Sequence, residues 1–264
     1  MNEGGASKRP SELALRTIVG IALIAVALGA IVAGDIVFWL VCVTLGLLMM
    51  GEWADLQATP AATKRLAQLA LFVPLSVMAP IMAGPGFFTL GLLAGAGFFI
   101  VIVTQRPMLA AGAIYVGLPT LALLVIREQK EGIVLTLWVL ALVWACDIGA
   151  YAAGRVIGGP KLAPAISPNK TWAGLLGGMA MAAIFGAFLH AMYGLPLRLT
   201  LATPFLAVIA QGGDLYESWL KRRAGVKDSG NIFPGHGGVL DRLDGLVPVA
   251  PVAAFLVILP RFYF

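Results

Sequence analysis

"IVLTLWVLALVWACDIGAYAA", residues 133–153, holds a single charged side chain in twenty-one positions. As an α-helix rising about 1.5 Å per residue it would measure about 30 Å, the thickness of the hydrocarbon core of a bilayer. The same kind of run recurs on either side of it. Thr17–Ala33, Ile36–Met50, Leu66–Ala83, Phe87–Thr104 and Met108–Ile126 precede it; Ala173–Tyr193, Leu199–Gly213 and Leu246–Leu259 follow. Across the 264 residues, 60% are hydrophobic and 12% charged, where soluble chains carry about 25% charge. Mean hydropathy is +0.93. The expected fold is all-α: a polytopic integral membrane helical bundle with about nine transmembrane helices.

Charge placement gives an orientation. With a cytoplasmic N-terminus, the inner loops hold Lys8, Arg9, Arg16, Lys64, Arg65, Arg106, Arg155, Lys161, Lys170, Lys221, Arg222, Arg223, Lys227 and Arg242, fourteen of the eighteen Lys and Arg. That bias is the positive-inside pattern. It also accounts for the net charge of +5 through attraction to anionic lipid headgroups, with no nucleic acid needed as partner. The opening MNEGGASKRPSE reads as a short cytoplasmic tail without a signal-cleavage site. Cys42 and Cys146 lie inside apolar runs and read as free buried thiols. GLLAGAG and GLLGGMA allow close helix approach and leave room for a homodimer. Prolines 74, 80, 119, 204, 248 and 251 need only kink their helices.

The carboxylates divide the chain. Before residue 132, Glu3, Glu12, Asp35, Glu52, Asp55, Glu128 and Glu131 scatter over tails and short loops and read as solvated. After it come Asp147, Asp214, Glu217, Asp228, Asp241 and Asp244, all on the inner side and several at the ends of apolar runs. Ionisable groups held at membrane depth are costly and mark functional sites. Residues 1–131 are therefore read as tail, scaffold helices and a dimer surface, and residues 132–264 as helices bearing catalytic loops on the cytoplasmic face.

The densest chemistry is in GGDLYESWLKRRAGVKDSGNIFPGHGGVLDRLDG, residues 212–245. If the eighth apolar run continues as a helix, Asp214, Ser218, Lys221 and Arg222 share a face. Residues 224–238 hold too many glycines for a helix, and such loops bring backbone N–H groups against phosphate oxygens. Asp241 and Asp244, three apart, would stand on one side of a following helix, close enough to share a metal ion. Hard oxygen ligands beside cations suit Mg²⁺ held jointly with substrate phosphates, and the lack of a Cys/His cluster argues against zinc. The residues alone thus read as a metal-assisted phosphoryl or nucleotidyl transfer site; the competing reading is a charged connector.

The run from Ser218 through Lys221-Arg222, Lys227-Asp228, Gly230, Phe233-Pro234, His236-Gly237-Gly238 and Asp241-Arg242 to Asp244 resembles the signature of the phosphatidate cytidylyltransferase (CDP-diacylglycerol synthase) family. CDIGAYAAGR (146–155) and KLAPAISPNKTWAG (161–174) extend the likeness. Ile148 stands where the family usually has Thr, and Ala173 where it usually has Glu. The resemblance implies CTP (or dCTP) and phosphatidic acid as substrates, CDP-diacylglycerol and pyrophosphate as products, Mg²⁺ as cofactor and a monovalent cation such as K⁺ beside it. It implies Asp214, Asp241 and Asp244 as metal ligands, and a catalytic group of Lys227, Asp228, His236, Asp241 and Asp244. Substrate contacts would come from Asp147, Tyr151, Arg155, Lys161, Ser167, Asn169, Lys170, Thr171, Ser218, Lys221, Arg222, Gly237, Gly238 and Arg242. A bacterial inner membrane, with the site facing the cytoplasm, is the expected location.

Several of these residues keep a second reading. His236 acts as an acid towards pyrophosphate or merely bonds its loop; Arg242 touches a ligand or pairs with its flanking aspartates; Asp147 and Arg155 bind substrate or pair with each other. Two rival functions also stand. A CTP-using lipid enzyme akin to a polyprenol kinase would transfer the γ-phosphate, and a cation-coupled transporter would line an ion path with the six acids.

Overall fold

A computed structural model describes residues 12–233 and 237–262. The helices in chain order are α1 (Glu12–Ala33), α2 (Asp35–Leu56), α3 (Ala61–Val77), α4 (Phe87–Thr104), α5 (Pro107–Arg127), α6 (Gly132–Val156), α7 (Trp172–Tyr193), α8 (Leu197–Arg223), the single turn α9 (Leu240–Leu243) and α10 (Leu246–Ile258). Each expected apolar run coincides largely with one of them. Among the described residues five helices, α2, α4, α5, α6 and α7, are long and apolar enough to cross a membrane. Their outward faces carry Phe87, Phe98, Ile148, Val156 and Ile184, all exposed. Bare apolar surface on that scale suits lipid and not water.

Several details differ from the expected runs. The third helix ends at Val77 and not at residue 83, because Pro80 lacks an amide donor and biases its predecessor away from helix. The second runs on to Leu56, carrying Glu52 and Asp55 inside it. Residues 161–171, expected as a plain loop, form an antiparallel hairpin of β1 (Lys161–Ala163) and β2 (Ser167–Thr171). Pro74, Pro119, Pro204 and Pro251 all sit within continuous helix.

Close packing centres on α6 against α7. A Cβ on Gly177 would lie 2.2 Å from the Ala153 Cβ, and one on Gly149 would lie 2.5 Å from the Gly177 carbonyl oxygen. GLLGGMA is thus a contact stripe, as expected, whereas Gly91 and Gly95 of GLLAGAG face open space. The largest core joins α2, α3 and α5 to Leu220, Val239, Leu240 and Val247, so residues from both halves of the chain share it. Cys42 and Cys146 are buried and free.

The up-and-down course sorts the helix ends into two groups. One holds Asp35, Met78 and Arg127 around a cavity of about 410 Å³, and the Arg127 guanidinium donates to the Ile31 carbonyl at 2.9 Å. The other holds the C-terminal ends of α2 and α8 and the 224–229 segment, around a cavity of about 420 Å³. The acidic and basic side chains singled out in the sequence gather at this second end.

Candidate active site

α8 runs unbroken past the end of its apolar stretch, and its periodicity then decides which polar groups meet. The Ser218 hydroxyl lies 3.5 Å from Asp214 Oδ1. One turn on, Lys221 turns inward, its ammonium 3.2 Å from Glu217 Oε1 and 2.6 Å from Asp241 Oδ1. Arg222, about 100° further round the helix, is exposed and donates instead to the Val226 carbonyl at 3.4 Å. The face expected to hold Asp214, Ser218, Lys221 and Arg222 therefore divides, three inward and one outward.

Asp241 anchors the loop that follows. Its Oδ2 accepts the backbone N–H groups of Ser229 and Gly238, each at 2.8 Å, and lies 2.9 Å from the Ser229 hydroxyl, while Oδ1 takes Lys221. Gly237 adopts φ +80, a left-handed conformation natural to glycine, and its carbonyl accepts the Phe233 N–H at 3.0 Å. A Cβ on Gly237 would meet Asp241 Oδ2 at 2.7 Å. Lys227, Asp228 and Arg242 are exposed; His236 lies outside the described residues.

The hairpin supplies a second cation. Lys170 donates to Gln211 Oε1 at 2.8 Å and forms an ion pair with Asp214. Thr171 is buried, and its hydroxyl accepts from the Gly174 N–H to cap α7. Lys161 and Asn169 are exposed and Ser167 half-buried on the same hairpin. On α6, Arg155 bonds the Tyr151 hydroxyl at 2.5 Å and lies over its ring; both are exposed, and Asp147 is not the arginine's hydrogen-bond partner.

Electrostatics tie the ends of α6 and α8 to the loop. Burial, then the charges of Asp214 and Asp147, push the Asp244 carboxyl up to about 7. Burial and Asp244 push Glu217 up to about 9, against the pull of Lys221. Asp241 moves the other way: burial would raise it, but the bonds from Lys221, Gly238 and Ser229 hold it below the usual range. Crowded carboxylates of this kind favour a bound cation or proton. Among the described residues no three His, Cys, Asp or Glu side chains converge on one point. A divalent ion here would rest on one or two carboxylates and fill its shell with substrate oxygens, which is the habit of Mg²⁺.

Gln211 and Ser229 were not singled out in the sequence, and Glu217 and above all Glu52 have partners there that it did not name. The reading of Glu52 as a solvated acid is overturned. It is buried, and accepts N–H groups from Val239 and Leu240, each at 2.8 Å. In MMGEWADL, residues 49–56, it stands between apolar residues at the end of an apolar run, a setting that fits a solvated acid equally well.

Residues 14–259 match the model of the cytidylyltransferase family. The chain belongs to that family. Among similar proteins, the phosphatidate cytidylyltransferase of Brucella suis is 40% identical over 252 residues, covering 91% of each chain. That of Rickettsia felis is 35% identical over 208 residues, 74% of this chain and 92% of the relative. That of Bacillus subtilis is 43% identical over 151 residues, 56% of each. The match spans α1 to α10, so the likeness seen in the C-terminal motifs extends over the N-terminal helices as well.

Proposed function

We propose that this family member transfers the cytidylyl group of CTP to phosphatidic acid, releasing pyrophosphate and forming CDP-diacylglycerol. The observation that carries the proposal is the meeting of Asp147 of α6, Asp214 and Lys221 of α8, Lys170 of β2 and Asp244 after α9, beside exposed apolar helix surface. Carboxylates with neighbouring cations suit a triphosphate, and the apolar flank suits acyl chains.

The lipid phosphate needs little activation, because a phosphomonoester loses its second proton near pH 6. The obstacle is repulsion between two anions, so neutralisation and in-line alignment are the protein's task. One lipid phosphate oxygen forms a bond to the α-phosphorus as the α–β bridging bond breaks and pyrophosphate leaves. Lys170, released from Asp214, and Lys221 would hold phosphate oxygens. Lys227, Arg222 and Arg242 line the exposed approach. Mg²⁺ would supply charge neutralisation of the triphosphate and leaving group. Asp214 and Asp244 are its best holders, since Asp241 already accepts from Lys221, Gly238 and Ser229. A K⁺ ion would add to the same neutralisation.

On this proposal the chain crosses a bacterial inner membrane nine times, N-terminus inside, with the C-terminal ends of α2, α6 and α8 facing the cytoplasm, where CTP is found. The test is pyrophosphate release by purified protein: it should require CTP, phosphatidic acid and Mg²⁺ together, and fall at least a hundredfold in Asp244→Asn. Release without lipid, or release of CDP in its place, would count against it.

A further inference from the structure

We infer that Glu52, on α2 in the N-terminal half, is a positioning residue for the loop that carries Asp241 and Asp244. The inference rests on the proposed site, and deepens it by naming what holds that site in place. Glu52 is the acidic side chain that α2 sends into the core beside Met50 and Trp53, and it is 4% exposed. Oε1 accepts the Val239 N–H at 2.8 Å, and Oε2 accepts the Leu240 N–H at 2.8 Å with the Ser229 hydroxyl 3.0 Å away. Those partners lie 177 to 188 residues along the chain.

Two features make this contact more than a satisfied buried acid. First, the Ser229 hydroxyl lies between carboxylates, 3.0 Å from Glu52 and 2.9 Å from Asp241. Its single proton can be donated to either of them, and these short contacts place Glu52, Ser229, Asp241 and Lys221 in one connected cluster. Second, two loop glycines abut the Glu52 carboxyl. A Cβ on Gly238 would lie 2.5 Å from Oε1 and 2.6 Å from Oε2, and one on Gly230 would lie 2.6 Å from Oε1. Glycine at 230 and 238 thus answers to the approach of Glu52, whatever use the ligand makes of the loop.

Shape also restricts the replacement. In Glu52→Gln the amide fills the same volume, but one of its two heads becomes a donor facing another donor. At best one of the two backbone N–H groups keeps its partner, and an unsatisfied buried donor drives the loop away. Asp241 and Asp244 then lose their fixed orientation, while the α6, α7 and α8 framework stays.

The experiment measures hydrogen–deuterium exchange and steady-state kinetics on purified parent and E52Q in detergent. Peptides covering 226–233 and 237–245 should exchange at least tenfold faster in E52Q, with those from α6 and α7 unchanged. The kcat for lipid-dependent pyrophosphate release should drop at least tenfold, with KM for CTP within threefold. Parental exchange in the loop would overturn the inference, as would faster exchange throughout the bundle with activity lost in step. Exchange is read without turnover, so a parent that exchanges as described but makes no lipid product would refute the proposed reaction and not this contact. Ser229→Ala, which leaves both backbone bonds to Glu52, is the companion variant should E52Q not fold. It should speed exchange of 226–233 and lower kcat about threefold to tenfold; parental behaviour in both would equally overturn the inference.

Discussion

Lys221→Met removes an ammonium while keeping most of the side-chain volume, and its cost follows from the partners left behind. Lys221, Glu217 and Asp241 have side-chain exposures of 13%, 1% and 6%. Breaking a buried pair usually costs about 3–5 kcal/mol, because a bare charge remains. Here neither survivor is left bare. Asp241 keeps the Ser229 and Gly238 donors and loses one charge-assisted bond, about 1.5–3 kcal/mol. Glu217, pushed up to about 9 by burial and Asp244, already holds its proton near neutrality and leaves no bare charge. The expected loss is therefore about 2–3 kcal/mol, a fall in thermal midpoint on the order of 4–12 °C for a chain of this size. Tryptophan fluorescence melts in detergent measure it. The double variant K221M/E217Q should melt within about 2 °C of K221M, since Gln mimics the protonated acid. A K221M midpoint equal to the parent's would refute the buried network, and a further large fall in the double variant would refute the protonation argument.

Three further outcomes are expected. Glu217 has a folded pKa above the ordinary 4.5, at about 9, so its contribution is full below about pH 4.5 and is lost as pH climbs through about 9. E217Q should gain stability relative to the parent between pH 5 and 9, and identical melting profiles across that range would be the contrary result. Gly213→Ala should cost about 1–3 kcal/mol by overpacking, because its Cβ would lie 2.4 Å from the Asp244 carbonyl oxygen. Gly212→Ala, one residue away and facing open space, should melt at or above the parent on helix propensity; equal losses in the two would contradict the packing described. Chelation of divalent ions should abolish turnover and added Mg²⁺ restore it, whereas EDTA-resistant turnover would remove Mg²⁺ from the account.

How much was legible in the sequence depended on the length scale of the signal. A helix needs nothing but its own apolar run, so all nine runs landed on helices, and the continuation of α8 through Lys221 followed from periodicity. Boundaries set by a few residues were less visible, as at Pro80, or at the hairpin of 161–171, whose pairing apolar counts do not encode. Within the site, contacts along one helix such as Glu217 with Lys221 were open to spacing arguments. Contacts between distant segments were not: nothing local ties Glu52 to Val239, or Lys170 to Asp214. Glu52 misled for a further reason. Near the end of an apolar run, one acid looks the same whether it faces water or, as here, the backbone of a loop. Glycines 230 and 238 were read as making room for phosphate, and the structure adds the Glu52 carboxyl as their neighbour.

Following one phosphorus atom separates nucleotidyl transfer from phosphoryl transfer. Purified protein would be given phosphatidic acid, Mg²⁺ and CTP labelled with ³²P at either the α or the γ position, with Asp244→Asn in parallel. The α label should enter the lipid fraction as CDP-diacylglycerol, the γ label should leave as pyrophosphate, and the variant should lose both. Lipid labelled from the γ position, or no lipid label from folded protein, would contradict nucleotidyl transfer.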